Sequence, residues 1–187
     1  MASYYGRSLG ETLDLFFPTL LRGGWKRDIH RERKRKSKIP SEFLLKPAEL
    51  PSQFTEEQTA ALDIMLPSVR ERRFSPFLVH GITGSGKTIL YVEMARAAVQ
   101  QGRGVVVLVP EIGLTSHVAR HFVSAFPDRV ALLHSRLTSR RRWDEWDRIR
   151  SGQADVVVGA RSALFAPLKD VGLIVADEEH DHAYKQE

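Results

Sequence analysis

Residues 81–88 read Gly81-Ile82-Thr83-Gly84-Ser85-Gly86-Lys87-Thr88, and this stretch decides the fold. The spacing Gly-x-x-x-x-Gly-Lys-Thr predicts a phosphate-binding loop, in which successive backbone N–H groups turn towards the phosphates of a nucleotide. The helix that follows presents its positive end, and Lys87 adds a full charge. The hydroxyl of Thr88 is placed to bind Mg²⁺. We therefore expect seven residues to contact the nucleotide: Gly81, Thr83, Gly84, Ser85, Gly86, Lys87 and Thr88.

The surroundings of this loop favour the same interpretation over a chance glycine-rich turn. An apolar run that we predict as a strand, Phe77–Gly81, precedes the loop, and a helical pattern, Ile89–Gln101, follows it. Further runs are continuously apolar, as strands covered on both faces must be. The predicted strands after the loop are Val105–Val109, Arg129–Leu133, Asp155–Gly159 and Val171–Asp177. Because helical stretches alternate with these strands, the sequence predicts a parallel sheet between layers of helices.

A second nucleotide motif ends the last predicted strand, where Leu173-Ile174-Val175-Ala176 leads into Asp177 and Glu178. At the strand's carboxyl end, Asp177 would lie beside the phosphate loop and bind Mg²⁺. Glu178 is placed to orient and deprotonate a water, which predicts hydrolysis with Lys87, Asp177 and Glu178 as the catalytic set. The alternative is an acidic, solvated strand end.

Composition narrows the class of protein. The 187 residues are enough for one domain and a small extension, and 42% are hydrophobic, which permits a core. The sequence contains no cysteine, so we expect neither a disulfide nor a cysteine-based zinc site. No apolar run approaches the length of a membrane span and the first residues lack a signal peptide's apolar stretch, so we expect a cytoplasmic protein without a membrane partner.

The net charge of +5 is concentrated in one segment. Eight of the 28 basic residues fall within residues 26–38, against two acidic residues. Such a stretch is typical either of a nucleic-acid-binding arm or of a solvated linker. We expect three regions: residues 1–25, a short helical remnant of an N-terminal DNA-binding domain; residues 26–50, a basic, proline-containing linker; and residues 51–187, a nucleotide-binding lobe.

Several segments together resemble PriA-type replication-restart helicases, the primosomal protein N′ family of helicase superfamily two. The likeness runs from Phe54 to Glu187, and a weaker one covers residues 4–22. The segments that carry it are Thr55-Glu56-Glu57-Gln58, the phosphate loop, Val109–Thr115, Leu132–Ser135, Gly159–Pro167, Asp177–His180 and Tyr184–Glu187.

The resemblance implies a P-loop NTPase with a RecA-like three-layer αβα sandwich, acting as the first lobe of an ATP- and Mg²⁺-dependent motor. That motor tracks DNA 3′ to 5′ and reloads replication at stalled forks. The implied partners are single-stranded or forked DNA, the primosome and single-strand-binding proteins. Gln58 would contact adenine and His180 would couple nucleotide state to DNA binding. Residues Thr115, Ser135, Arg161 and Ser162 would contact DNA.

The residues themselves leave simpler roles open. Thr55-x-x-Gln58 is also a helix capping box, and Thr115 and Ser162 could cap helices. Trp143, Trp146 and Ile149 recur every third residue, which favours a buried helix face, with the neighbouring arginines in solvent, over base stacking. An unrelated P-loop hydrolase and a non-catalytic DNA-binding or scaffolding piece are the competing functions.

Relative to the resembled family, the sequence lacks a second lobe, the cysteine-rich zinc module and a winged-helix domain. An arginine supplied to the γ-phosphate raises the turnover rate by about 10³ to 10⁵-fold, so we expect slow ATP hydrolysis and no unwinding by this chain alone. DNA binding should weaken as the salt concentration rises. We also expect exposed apolar sheet surface that makes the protein prone to associate.

Overall fold

A computed structural model describes residues 48, 51, 53–82, 84–110 and 117–179. The predicted regions 1–25 and 26–50 therefore lie outside the described residues, apart from Ala48. The backbone N–H of Ala48 donates to the Ser124 hydroxyl at 2.9 Å. This bond attaches the end of the predicted linker to the body of the lobe.

Helices and strands alternate along the described chain. The elements are α1 (Glu56–Arg70), α2 (Lys87–Gln100), β1 (Gly104–Leu108), α3 (His117–Ala125), β2 (Val130–Leu133), α4 (Ser139–Arg150), β3 (Val156–Gly159), a 3₁₀ helix (Arg161–Phe165) and β4 (Val171–Ala176). Each of these four strands lies within one residue of a predicted strand, which confirms the alternating pattern. None of the described helices has both the length and the apolar character needed to span a bilayer.

The four strands form one parallel sheet in the order β2-β3-β1-β4. Val105 of β1 pairs with Val156 of β3 on one side and with Leu173 of β4 on the other. A register shift between Gly104 and Val105 adjusts β1 to β4. Since all four strands are parallel, their carboxyl ends meet at one edge, where open α/β sheets bind ligands.

Alternate residues of each strand point to opposite faces of the sheet, so they contribute to two separate hydrophobic cores. On one face Val105, Val107 and Val156 pack beneath α1, α2 and α3. On the other face Val157 and Ala131 pack with Ile149 of α4 and Ala163 of the 3₁₀ helix. This is the expected three-layer αβα sandwich.

The strand predicted at Phe77–Gly81 is wrong for the described structure, in which this segment has no regular secondary structure. Val79 packs against the first core, whereas Phe77 is partly exposed and Leu78 is 79% exposed. An apolar run predicts burial, but a strand also requires a neighbouring edge for its hydrogen bonds. Among the described residues, β4 ends the sheet and no strand lies beyond it.

Helix α4 agrees in part with the predicted buried face. Ile149 is 2% exposed, and the half-buried rings of Trp143 and Trp146 stack on each other with centroids 6.0 Å apart. The arginines of this helix are not all in solvent, because the Arg148 side chain is only 11% exposed. It binds main-chain carbonyls of the neighbouring strand region, which the helical spacing alone did not indicate.

Candidate nucleotide-binding site

The phosphate loop has the backbone that its glycines predict. Gly84 and Gly86 have φ values of +84° and +82°, in the left-handed region that L residues avoid. At Gly86 an added Cβ would lie 2.3 Å from the side-chain amide nitrogen of Gln58, so a larger residue would also displace that side chain from the loop. Gly86 immediately precedes α2, so the loop leads directly into the amino end of that helix.

Lys87 lies at this helix start with its ammonium group turned into the loop. Its Nζ donates to the carbonyl of Gly81 at 2.5 Å and to that of Ile82 at 3.2 Å. The charge is therefore held among the backbone groups that would surround a phosphate. A bound phosphate would compete with these two carbonyls for the ammonium group.

Gln58 joins α1 to the loop and also has the simpler role that the sequence allowed. Its backbone N–H and side-chain oxygen complete a capping box with Thr55, the residue before α1. Its side-chain nitrogen donates to the carbonyl of Ser85 at 3.2 Å. The capping role is thus present, and the same amide lies against the phosphate loop.

Asp177 directly follows β4 and lies within electrostatic reach of Lys87. Its backbone N–H donates to the carbonyl of Leu108 at 2.9 Å, which fixes the turn after the strand against the end of β1. Burial of the carboxyl group and the neighbouring negative charge of Glu178 raise its pKa, against the opposing effect of the Lys87 charge. The two motifs, 90 positions apart in the chain, therefore meet at one edge of the sheet.

Tyr91 is a site residue that the sequence reasoning missed. Its hydroxyl lies within electrostatic reach of the Asp177 carboxylate, and burial together with that negative charge raises the pKa of Tyr91 to about 12. The available signal was its position four residues after Lys87, which places both residues on one face of α2. Helix periodicity could identify the shared face, but only the packing of α2 on β4 shows what that face contacts.

Glu178 is exposed and has a φ of +49°, in the left-handed region. Such a conformation is costly for a residue with a Cβ, and residues of this kind are concentrated at functional sites. Its side chain is free to face solvent at the sheet edge, beside Asp177. This position is consistent with a group that acts on water.

Three of the four predicted DNA-contacting residues lie within the described structure. Ser135, Arg161 and Ser162 are exposed and follow the carboxyl ends of β2 and β3, at the same sheet edge as Asp177. Ser162 does not cap its helix, because the capping position of the 3₁₀ helix is Ala160 and no side chain bonds there. Thr115, the fourth predicted DNA contact, lies outside the described residues, as do Thr83 of the phosphate loop and His180, the predicted coupling residue.

The donor set fits a magnesium ion held jointly with a nucleotide. Within the described part of the chain, no group of three or more His, Cys, Asp or Glu side chains could hold a metal ion. Mg²⁺ does not require such a cluster, because proteins typically hold it through one or two carboxylates, water and substrate phosphates. One carboxylate at Asp177 and one hydroxyl at Thr88 are oxygen ligands of the kind it prefers.

The parallel sheet, the glycine loop before α2 and the acidic end of β4 define a P-loop nucleoside triphosphatase of the αβα class. Residues 55–187 match the DEAD/DEAH box helicase family, so the chain belongs to that family. The match begins at the capping residue of α1 and includes both nucleotide motifs. The resemblance seen in the sequence is thereby confirmed at the level of the helicase fold.

Comparison with individual proteins shows similarity to one type of helicase. The chain is 42% identical over 137 residues to the replication restart protein PriA of Bacillus subtilis, covering 73% of this chain and 17% of that protein. It is 46% identical to PriA of Treponema pallidum over 69% of this chain and 19% of that protein. PriA of Rickettsia conorii is 34% identical over 100% of this chain, which spans 26% of that protein. The chain thus corresponds to the part of PriA that holds the first helicase lobe, and it spans about a quarter or less of these relatives.

Proposed function

We propose that this chain is the ATP-binding first lobe of a 3′ to 5′ DNA helicase that acts in the restart of stalled replication forks. The observation that carries the proposal is the meeting of Lys87 and Asp177 at the carboxyl edge of the sheet. The names of the relatives support replication restart as the process. A role on replicating DNA corresponds to a cytoplasmic location in bacteria.

Each residue of the site has a proposed role that follows from the chemistry of its side chain or backbone. Gly81, Thr83, Gly84, Ser85 and Gly86 would cradle the phosphates with backbone N–H groups, and Lys87 would neutralise phosphate charge. Thr88 and Asp177 would hold Mg²⁺, which supplies charge neutralisation at the phosphate oxygens. Glu178 would orient and deprotonate the attacking water. Gln58, already bonded to the loop, would exchange its present contacts for adenine.

The DNA-binding part of the proposal rests on the loops at the same edge. Ser135, Arg161 and Ser162 are exposed there, and Thr115 and His180 complete the proposed set. Hydroxyl and guanidinium groups suit phosphate contacts, which fix position without reading sequence. The proposed ligand is single-stranded or forked DNA, with primosome and single-strand-binding proteins as partners of the whole assembly. We assign the nucleotide-binding lobe to residues 51–187, with residues 1–25 as part of a DNA-binding domain and residues 26–50 as linker.

Nucleotide binding tests the proposal most directly. Lys87→Ala should weaken binding of a fluorescent ATP analogue, measured by anisotropy, by at least about tenfold, because the loop loses its charge-assisted bond to phosphate. The control is Lys169→Ala, since Lys169 is an exposed lysine remote from the loop in sequence. Equal affinities for both variants would refute the nucleotide site.

Measuring the rate of ATP hydrolysis distinguishes the proposed ATPase from a non-catalytic scaffold. Glu178→Gln should keep the affinity for the ATP analogue and lower the steady-state ATPase rate by about 10² to 10⁴-fold, the usual contribution of a general base. Single-stranded DNA should stimulate the wild-type rate and leave the variant inactive. A rate unchanged by the substitution would favour the scaffold, and a rate indifferent to DNA would favour a P-loop hydrolase of another kind.

A further inference from the structure

Four arginines lie within seven residues just beyond the carboxyl end of β2. Arg136 is in the turn that follows the strand, and Arg140, Arg141 and Arg142 are in the first turn of α4. Residues 134–143 contain no acidic side chain, so this short segment carries four positive charges. Arg136, Arg140 and Arg141 are exposed, and we call these three residues the arginine cluster.

The charges of the arginine cluster are unfavourable for the helix itself. The amino end of a helix carries a partial positive charge, so acidic side chains stabilise its first turn and cations oppose it. The first turn of α4 contains no acidic residue. Two acids of α4 form ion pairs further along the helix, Glu145 with Arg148 and Asp147 with Arg150. Within the described part of the chain, the arginine cluster takes part in no ion pair, so its charges remain available to a ligand.

The backbone that carries the arginine cluster is held in place by local hydrogen bonds. The backbone N–H of Leu137 donates to the carbonyl of His134 at 3.2 Å, which closes the turn that contains Arg136. The Thr138 hydroxyl accepts from the backbone N–H of Arg141 at 3.3 Å and caps α4. The side chains of the cluster therefore start from a fixed turn and a fixed helix end.

The arginine cluster continues the edge of the sheet at which we propose DNA contacts. Ser135 belongs to the proposed set and immediately precedes Arg136. The guanidinium group of Arg142 lies 3.5 Å from the carbonyl oxygens of His134 and Ser135, so it is turned back towards this loop. Because β2 pairs with β3, which leads to Arg161, the cluster extends the same edge to the last described strand on that side.

We propose that the arginine cluster binds the sugar–phosphate backbone of single-stranded DNA and lengthens the DNA path beyond β3. This rests on the proposed function, because it concerns the same DNA-binding edge. A guanidinium group presents a planar set of donors that matches two phosphate oxygens at once. Such contacts fix the position of a strand without reading its sequence. Arginines that oppose their own helix and meet a phosphate backbone have a role that folding does not supply.

The arginine cluster is well separated from the nucleotide site. In the sheet order β2-β3-β1-β4, the cluster follows β2 and Asp177 follows β4, at the opposite side of the sheet. Neighbouring strands lie about 4.8 Å apart, so three steps across the sheet amount to about 14 Å. Substitutions in the cluster should therefore change DNA binding and leave binding of the fluorescent ATP analogue unaltered.

The salt dependence of DNA binding tests the proposal. The cluster variant combines Arg136→Gln, Arg140→Gln and Arg141→Gln in the 187-residue chain. Binding of a fluorescein-labelled oligothymidylate would be measured by anisotropy over a series of KCl concentrations. Each lost contact to a single strand should reduce the slope of log affinity against log salt by about 0.7, so the three together should reduce it by about 2. Affinity at about 0.1 M salt should fall at least about tenfold.

Two control variants separate phosphate contact from net charge and from folding. Arg70→Gln, Arg72→Gln and Arg73→Gln together remove the same charge from exposed positions at the end of α1. Gln101, at the far end of α2 from the phosphate loop, donates to the Arg70 carbonyl at 2.9 Å, which places this control at the opposite edge of the sheet. Its salt slope should equal that of the wild type. Replacing the cluster with lysines keeps the charge and should keep most of the slope.

Thermal unfolding checks the folded state of the cluster variant. Its melting temperature should be no lower than that of the wild type, because cations are removed from a helix amino end. A lower melting temperature would contradict the unfavourable placement on which the proposal depends. An unchanged salt slope, or an equal change in the α1 control, would overturn the proposal. An equal loss of affinity for labelled oligoglutamate would assign the cluster to an acidic protein segment instead of DNA.

Arg161→Gln in the same assay separates this inference from the proposed function. Weaker binding by Arg161→Gln, together with an unchanged slope in the cluster variant, would leave the proposed DNA-binding edge standing and reject the cluster. A wild type that does not bind oligothymidylate at low salt would remove the DNA-binding part of the proposed function and with it the inference.

Discussion

The ionised Asp177 carboxylate carries an electrostatic cost in the folded protein. Its carboxylate is half-buried, and it lies beside a second acid, Glu178. Burial and the like charge raise its pKa, so ionised Asp177 is less stable in the folded protein than in the unfolded chain. The nearby positive charge of Lys87 opposes this cost without removing it. The role that we propose for Asp177, binding Mg²⁺, requires the ionised carboxylate and therefore carries this cost.

Asp177→Asn should therefore stabilise the protein at neutral pH when no metal is present. The folded state of the wild type holds the Asp177 proton more tightly than the unfolded state. Consequently its stability falls, relative to the variant, as pH rises from the ordinary carboxyl pKa of 3.8 through the raised value. The melting temperatures of the two proteins in EDTA should converge at low pH and separate as pH rises, with the variant higher.

Asp63→Asn is the matched control, because Asp63 is exposed on α1. Its melting curve should run parallel to that of the wild type over the same pH range. A constant difference between Asp177→Asn and the wild type at every pH would contradict the origin assigned to the effect. Asp177→Asn should also lose the Mg²⁺ dependence of nucleotide binding, whereas Asp63→Asn should keep it.

Which site residues the sequence could predict depends on whether their role is local. The left-handed glycines and the lysine at the helix start follow from eight adjacent positions, and the acidic strand end follows from a short apolar run. The contacts of Tyr91 and Gln58 depend on how helices pack on the sheet and on the loop. No local pattern contains that information.

At the scale of elements, Arg148 links α4 to the beginning of β2. Arg148 contacts Glu145 at 2.6 Å and donates to the carbonyls of Val130 and Asp128, at 3.1 and 2.7 Å. The Arg148 and Glu145 side chains are only 11% and 14% exposed. These bonds satisfy carbonyls beside β2 that the parallel ladder leaves open at its start.

Arg148→Met should lower the free energy of unfolding by about 3 kcal/mol, because it removes a largely buried ion pair together with two hydrogen bonds to main-chain carbonyls. Arg150→Met is the control, since Arg150 forms the same type of pair with Asp147 in the same helix but is 62% exposed. Its cost should stay below about 1 kcal/mol. Chemical denaturation measures both values, and similar losses for the two variants would show that burial of the pair is not what matters.

The elements also show where a periodic pattern stops being sufficient. The apolar runs of β1, β3 and β4 predicted strands, and each of these strands has a described neighbour that completes its ladder. Phe77–Gly81 has a comparable pattern, but no described strand pairs with it. Hydrophobicity is a property of the segment, whereas pairing is a property of two segments, so only the first could be predicted from the segment itself.

Across the whole molecule the two faces of the sheet are covered unequally. Helices α1, α2 and α3 cover one face, and Val175 of β4 is buried beneath them. On the other face, α4 and the 3₁₀ helix lie over β2, β3 and β1. Ile174 of β4 points to that second face and is 54% exposed, although its neighbour in register, Val106, is 2% exposed. Among the described residues, the apolar cover of this face therefore ends at β4, which is also the edge of the described sheet.

An apolar edge strand of this kind favours association with another chain, so the protein should self-associate as its concentration rises. Ile174→Lys should shift sedimentation velocity profiles towards the monomer, because a charge on an edge strand opposes pairing and burial. Ile64→Lys adds the same charge on α1, where Ile64 is 68% exposed, and should leave association unchanged. If both variants dissociate alike, net charge rather than the β4 surface controls association. A wild type that stays monomeric at every concentration would show that the open face is too small to hold a second chain.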